Sequence, residues 1–414
     1  MAMASFPLLA SLSSAGSSDL FQWVRASANG TATIDHRQRL MTAADSGARG
    51  MFATASIPNN TLILWVPDEL IIFDESGKDG PGGTSHCGLI DKLRRELELG
   101  AASTLVPYTD YMHENQLSLE LHPEMWSPRV RALVERVPPY DFGRHLSWWA
   151  ATCGGDVNDK LAVRSALLTV TRTVGYGPDG TYMAMVPVYD LYNHGKASPR
   201  HNTRASTRVR GEGMSMWTTR DIEVGEELMH DYTENQERYT AEVFRDYGFV
   251  EQEPQQWWFY DAACAHHSAA ARQADPATTD GCLKHRFTLA AAPARGEQET
   301  TGVVTWHDAD GMAREGVARF AAAADGARAL LVELESALFR ASEMQLSLQA
   351  RRRDGCTGGQ CNEQISVEEQ QVELVRGYCT AFRRALQLAL ASLDDGSTGG
   401  AHTPPERQHQ HDEL

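Results

Sequence analysis

The stretch that decides how this chain is read is Val186-Pro187-Val188-Tyr189-Asp190-Leu191-Tyr192-Asn193-His194. It includes the end of a β-like run over residues 182–188 and closes on Asn-His, which in isolation suits a turn with a capped Asn. Two further phrases follow in order. The first is Asp221-Ile222-Glu223-Val224-Gly225-Glu226-Glu227-Leu228-Met229-His230-Asp231-Tyr232, in which a Gly-Glu-Glu turn leads into a strand ending at Tyr232. The second is Asp246-Tyr247-Gly248-Phe249. Polar and aromatic side chains thus stand at the ends of short strands, where a rigid frame presents them to a ligand.

Working outward, residues 31–73 are β-like, with short apolar runs broken by Gly or Pro. After the Gly-rich break at 77–83 the period becomes helical: Leu89, Ile90, Leu93 and Leu97 share a face, and Gly100 stops the run. Residues 128–137 and 159–174 also read as helices, and β character returns at 182–188, 213–218 and 227–232. Beyond about 255 comes a short β region around 285–306, then an Ala- and Leu-rich helix over 313–350. Ser366 and Glu369 have the spacing of a capping box opening a last amphipathic helix that carries Val372, Val375, Cys379, Phe382 and Leu386. The intervening Arg-Arg-Arg-Asp-Gly-Cys segment and its sequel read as a flexible loop. The predicted organisation is a mobile N-terminus over 1–20, a β-rich domain over 21–255 with a helical insertion at about 80–165, a mainly α-helical domain over 256–395, and a disordered tail over 396–414. The class is α+β.

The 414 residues are 42% hydrophobic and carry a net charge of −17, so a large core is expected and general affinity for nucleic acid or anionic lipid is not. No apolar run has the length of a membrane span. The seven cysteines show no C-x-x-C spacing and no zinc pattern, and they read as buried or idle thiols, with Cys356 and Cys361 able to close a small loop in an oxidising compartment. The chain ends His411-Asp412-Glu413-Leu414, an endoplasmic-reticulum retrieval signal, but its first 16 residues make only a weak leader. The compartment expected is the cytoplasm, with the reticulum lumen as the alternative.

The three phrases, in their order, resemble the SET-domain protein methyltransferases, in particular the branch of Rubisco large-subunit lysine methyltransferase and the actin-histidine methyltransferase. There the expected phrases are P-x-x-D-x-x-N-H, a G-E-E turn before a catalytic Tyr, and Y-G-F. Gly47–Ala53 resembles the branch's Gly-rich cofactor loop, and Leu93–Tyr108 its helical insertion. The likeness spans about residues 30–255, and the helical C-terminal part matches the branch's substrate-docking domain in character only. Gly195 and Thr233 stand where the branch often has Ser and Gly.

The resemblance implies a β-rich SET domain followed by a substrate-binding domain, S-adenosylmethionine as the cofactor, no metal, and a non-histone protein as substrate, since the Cys-rich zinc segment of many histone methyltransferases is absent. Asn193 and His194 would meet the cofactor, together with Arg49, Gly50, Glu75 and Arg172. Tyr232 would be the catalytic residue, Tyr247 and Phe249 the channel walls, and Asp190 a structural support. Each has a plainer alternative: a capped turn for Asn193, core packing for the aromatics, ion pairs for Glu75 and Arg172. A basic run, Lys196, Arg200, His201, Arg204, Arg208 and Arg210, reads either as a solvated loop or as a docking patch. The activity implied is protein-lysine N-methylation. The alternatives are protein-histidine N-methylation and, from another class, a catalytically idle peptide-binding SET-fold protein.

Overall fold

The fold is that of a computed structural model, which describes residues 15–27, 32–43, 49–74, 85–114, 117–177, 182–196, 200–206, 213–232, 238–260, 284–290, 302–307, 320–354 and 359–394. The chain opens with helix α1 (Ala15–Ser27), then strands β1 (Thr33–Ile34), β2 (Gln38–Thr42), β3 (Arg49–Ala53), β4 (Leu62–Val66) and β5 (Ile72–Phe73). A helical run follows: α2 (Ser85–Leu99), α3 (Val106–Glu114), α4 (Leu117–Glu120), α5 (Pro128–Arg131), α6 (Arg144–Cys153) and α7 (Lys160–Arg172). Then come β6 (Thr173–Tyr176), β7 (Tyr182–Met185), β8 (Asn193–His194), β9 (Thr203–Ser206), β10 (Met214–Thr218) and β11 (Glu227–His230), followed by α8 (Thr240–Tyr247). The C-terminal part holds β12 (Gln255–Tyr260), β13 (Lys284–Ala290), β14 (Val303–His307) and the long helices α9 (Phe320–Asp354) and α10 (Gly359–Asp394).

Among the described residues the strands form small sheets ordered β1-β4-β10-β9, β2-β3-β11-β8, β5-β7-β6 and β12-β13-β14. Pairing is antiparallel except between β8 and β11, which run parallel with Asn193 opposite Met229 and His194 opposite His230. A parallel neighbour needs a long crossover, and the excursion through β9 and β10 supplies it.

Two hydrophobic cores form. The first packs the N-terminal sheets against α1, α2, α3 and α7, with Leu64, Leu93, Leu167, Tyr176 and Tyr192 buried in it. The second joins α9, α10 and the β12–β14 sheet to Trp126, Val130, Val134, Val137 and Phe142. The middle of the helical insertion therefore belongs to the C-terminal core, a division that helical periodicity cannot show. Phe244 of α8 reaches into this second core and stacks on Tyr378 at 4.2 Å, and Trp257 stacks on Phe382 at 4.3 Å. Such pairs contribute roughly 0.5–1.5 kcal/mol each beyond the area they bury.

Several expectations change. The supposed mobile start contains α1, whose Leu20 and Val24 are fully buried, because an amphipathic face of even three turns is stabilised once it has a core to cover. Residues 1–14 and 395–414 lie outside the described residues. The helix expected over 128–137 is helical only to Arg131 and continues as turns. Ser366 lies inside α10, not at its start, and Arg351–Arg353 belong to α9, so the supposed loop shrinks to residues 355–358, which lie outside the described residues. The cysteines are not all idle: Cys87 of α2 is bonded to Cys153 at the end of α6, 66 residues away, and Cys361 is also disulfide-bonded. The first pairing follows from packing α6 against α2, which no local spacing reveals. Cys379 is a free, buried thiol.

Closing a loop of 66 residues stabilises by roughly 4 kcal/mol on the chain-entropy account. The Cys87→Ser/Cys153→Ser variant is therefore expected to melt several degrees below the parent in calorimetry. An unchanged midpoint would show that the bridge does not constrain the unfolded chain.

Candidate active site

The parallel pairing of β8 with β11, and the antiparallel pairing of β11 with β3, bring Arg49–Ala53, Asn193-His194 and Glu227–His230 side by side. Asn193 joins all three. Its Nδ2 donates to the Arg49 carbonyl at 2.6 Å and to Glu227 Oε1 at 2.7 Å. Gly50 makes room for this: a Cβ there would stand 2.0 Å from Glu227 Oε1 and 2.7 Å from Asn193 Nδ2. The close approach that Gly50 permits here is to the chain's own side chains, Glu227 and Asn193. Arg49 lays its guanidinium over the Tyr111 ring at 5.5 Å.

The chain reaches Asn193 through Val188, whose φ of 70° is a rare setting for a β-branched residue. It turns the backbone into the short 3-10 segment Tyr189–Leu191 and points Asp190 inward. Asp190 Oδ2 accepts from Arg172 Nη1 at 3.0 Å and from the Tyr108 hydroxyl at 3.3 Å. Burial raises the Asp190 carboxyl above its usual range although Arg172 opposes it; burial also works against the Arg172 charge, and Asp190 and nearby tyrosines outweigh that. Asp190 Oδ1 and Arg172 Nε are buried without a hydrogen-bond partner among the described residues. Arg172 is therefore anchored in a buried ion pair rather than a surface one.

Tyr232 follows β11 directly. Its hydroxyl donates to the Tyr192 carbonyl at 2.8 Å. Its ring lies 5.2 Å from the His194 ring and 5.2 Å from the Tyr247 ring, and Phe249 completes the group at 5.9 Å from His194. Burial, then the neighbouring Tyr247, pushes the Tyr232 phenol upward, so it stays neutral. His194 turns its imidazole inward: Nδ1 accepts from the Tyr232 amide at 3.1 Å, and Nε2 faces Glu251 Oε2 at 3.1 Å. Only the His194 backbone is left for a ligand.

Tyr247 closes α8, where Gly248, at φ 79°, reverses the chain and returns its N–H to Phe244. The preceding Asp246 sits in a buried charge cluster with Arg245 at 2.6 Å, His145 at 2.7 Å and Arg238 at 3.0 Å. Burial opposes the Asp246 charge, but His145 and Arg245 hold its carboxyl far below the usual range. Arg245 also takes both oxygens of Asp141, and His122 Nε2 contacts the Asp246 carbonyl at 2.9 Å. These groups fix the wall on which Tyr247 and Phe249 stand.

Glu75, Arg208 and Arg210 lie outside the described residues. Among the described residues of the basic run, Lys196 donates to the Arg238 carbonyl, Arg204 donates to Asn60, and the His201 ring faces His230. Gly195 departs from the expected Ser because a Cβ there would stand 3.0 Å from Met229 Cβ and 3.2 Å from the Arg200 backbone. The sequence reading missed Glu227, Tyr192 and Glu251. Glu227 had a signal, as the second Glu of a turn that needs only one exposed acid; the other two act through tertiary contacts alone.

Residues 48–233 match the SET domain family. The solved structure of the SET domain of LSMT bound to lysine and AdoHcy is similar at 12% identity, covering 92% of this chain and 93% of that one, with a TM-score of 0.46. The structure of Rubisco LSMT bound to AdoMet is similar at 13% identity, covering 93% of this chain and 94% of that one, with a TM-score of 0.40. No curated protein matches the chain. The fold is a β-rich SET domain followed by a helical C-terminal region. No helix among the described residues is long and apolar enough to cross a membrane.

Two outcomes are expected. Asn193→Ala removes one donor from the Glu227 carboxylate and one from the Arg49 carbonyl, and it should cost about 1–3 kcal/mol in urea unfolding. The second concerns His122, whose imidazole is lowered to about 4 by burial against the opposing bond to Asp246. The unfolded chain therefore binds more protons below pH 6.5, and stability falls as pH drops from there toward 4. Asp190, Glu124 and Glu242, all raised by burial, pull the other way. The parent should thus lose about 2 kcal/mol more between pH 7 and pH 5 than His122→Asn does, read from urea midpoints at both values.

Proposed function

We propose that this chain is an S-adenosylmethionine-dependent protein-lysine N-methyltransferase acting on a non-histone protein. The observation that carries the reading is Tyr232: a neutral phenol, committed to the Tyr192 carbonyl, inside a cage of His194, Tyr247 and Phe249 and beside the Asn193-His194 strand. The residues present fit the cofactor. Asn193 uses its amide protons on Arg49 and Glu227, which leaves its Oδ1 to accept from an ammonium. Arg172 keeps a buried Nε for a carboxylate, and the backbone of Asn193-His194, an edge strand, would meet the edge of an adenine. When bound, S-adenosylmethionine supplies a methyl group on a sulfonium.

Tyr232 gives its proton to Tyr192, so its lone pairs are what it turns to a substrate. They accept from the N–H of an incoming amine and aim the nitrogen lone pair, and positioning of this kind carries much of the rate. A free Lys has a pKa of about 10.4 and must enter the step as neutral amine; the apolar faces of Tyr247 and Phe249 disfavour its charged form by desolvation. Burial raises the Tyr232 phenol, which disfavours a phenolate as the base that takes that proton. The helical C-terminal region, in the place of a Cys-rich zinc segment, supports a non-histone substrate.

The disulfide between Cys87 and Cys153 favours the lumenal alternative over the cytoplasm, because such bonds persist in oxidising compartments.

The test is Tyr232→Phe. Methyl transfer from labelled donor should fall by ~10²-fold or more, the scale of one lost transition-state-orienting hydrogen bond, with donor affinity by calorimetry nearly unchanged. Near-normal turnover with a lowered melting temperature would make Tyr232 a core residue and remove the support for this chemistry.

A further inference from the structure

We propose that Glu251 and His194 form a positioning pair that sets Tyr232 and links its placement to the C-terminal sheet; the proposal rests on the methyl-transfer reading above. The hydrogen bonds fix the tautomer. The Tyr232 amide can only donate, so His194 Nδ1, at 3.1 Å, is the unprotonated nitrogen. Nε2 then carries the proton and donates to Glu251 Oε2 at 3.1 Å. The other Glu251 oxygen accepts from the Thr240 hydroxyl at 2.5 Å, with Lys196 Nζ 3.6 Å away. Thr240 Oγ1 in turn accepts from the backbone N–H of Gln256, a residue of β12, at 3.0 Å. One unbroken chain of polar contacts runs from the sheet of the C-terminal core, through the start of α8, to the backbone of Tyr232.

Two features separate this chain from ordinary packing. The side chains of His194 and Glu251 are 2% and 1% exposed. Replacing buried charged groups by apolar side chains of the same volume is often neutral or stabilising, so stability is a weak reason for a carboxylate buried here. Tyr232 is also held at two points, its hydroxyl by Tyr192 and its amide by His194, the residues on either side of Asn193. β11 ends at His230, and the imidazole takes over where the ladder stops. The phenol oxygen is thereby placed relative to the strand that would hold the donor.

The experiment uses the full chain with its disulfides intact and compares Glu251→Ala, Glu251→Gln and Thr240→Val. Glu251→Ala should lower kcat ~10-fold or more, as a misaimed catalytic group does, while donor affinity stays within about threefold of the parent. Glu251→Gln should recover most of kcat, because a carboxamide oxygen still accepts from Nε2–H. Thr240→Val, nearly the same shape, should lose less than Glu251→Ala and keeps the test in force if the latter does not fold. Nitrogen NMR of histidine-labelled parent should show the His194 proton on Nε2 and Nδ1 as the acceptor, an arrangement that Glu251→Ala loosens. Parent His194 protonated on Nδ1 would overturn the pair, as would a Glu251→Ala variant with parental kcat or with equal losses in kcat and donor affinity. Should the parent transfer no methyl group, the lysine reading falls while the NMR result still decides the pair.

Discussion

The site depends on the two hydrogen bonds that Asn193 donates, to the Arg49 carbonyl and to the Glu227 carboxylate. They tie the third strand and the eleventh to the eighth, the edge strand of that sheet, and the space they occupy is the space a side chain at Gly50 would take. An apolar residue at 193 would satisfy neither acceptor, and a larger residue at 50 would push the Glu227 carboxylate out. The parallel pairing of Asn193-His194 with Met229-His230 then follows, because the Asn side chain spans the pair at its origin. Tyr232 leaves that pairing two residues later, already aimed.

Much of the frame was legible in the sequence because it is periodic. The short β-like runs and the helix carrying Leu89, Leu93 and Leu97 correspond to strands and to the second helix, since alternation and the 3.6-residue repeat report which face meets a core. What periodicity does not report is which core. Trp126, Val134 and Phe142 sit in the middle of the helical insertion and pack in one core with Tyr378 and Leu334 of the two long C-terminal helices, not in the N-terminal core. Ser366 and Glu369 carry a capping-box pattern, yet the helix starts at Gly359, because the pattern marks a possible start and tertiary contacts on Ile365 decide the actual one.

The site itself was legible as a set of phrases and not as geometry. Asn193, Tyr232 and Tyr247 could be singled out by order along the chain, but nothing in that order says that the His194 ring faces inward to Glu251, or that Arg172 pairs through Nη1 with Asp190. Those facts depend on long-range partners: Glu251 lies 57 residues from His194, and Tyr108 lies 82 from Asp190. The cysteines failed for the same reason, since Cys87 and Cys153 become neighbours only when the helices that carry them pack.

The eighth helix is where these dependencies meet. Its Phe244 stacks in the C-terminal core, its Asp246 is locked by charges from the insertion and from Arg238, and its last residue, Tyr247, faces Tyr232. Thr240 at its start joins Glu251 to the twelfth strand. A short helix held at both ends and on both faces has little freedom to tilt without breaking a buried ion pair, and losing one partner of such a pair costs about 3–5 kcal/mol. The aromatic wall and the C-terminal region are therefore joined through this helix by buried stacking, ion-pair and hydrogen-bond contacts, so a shift of either strains the other.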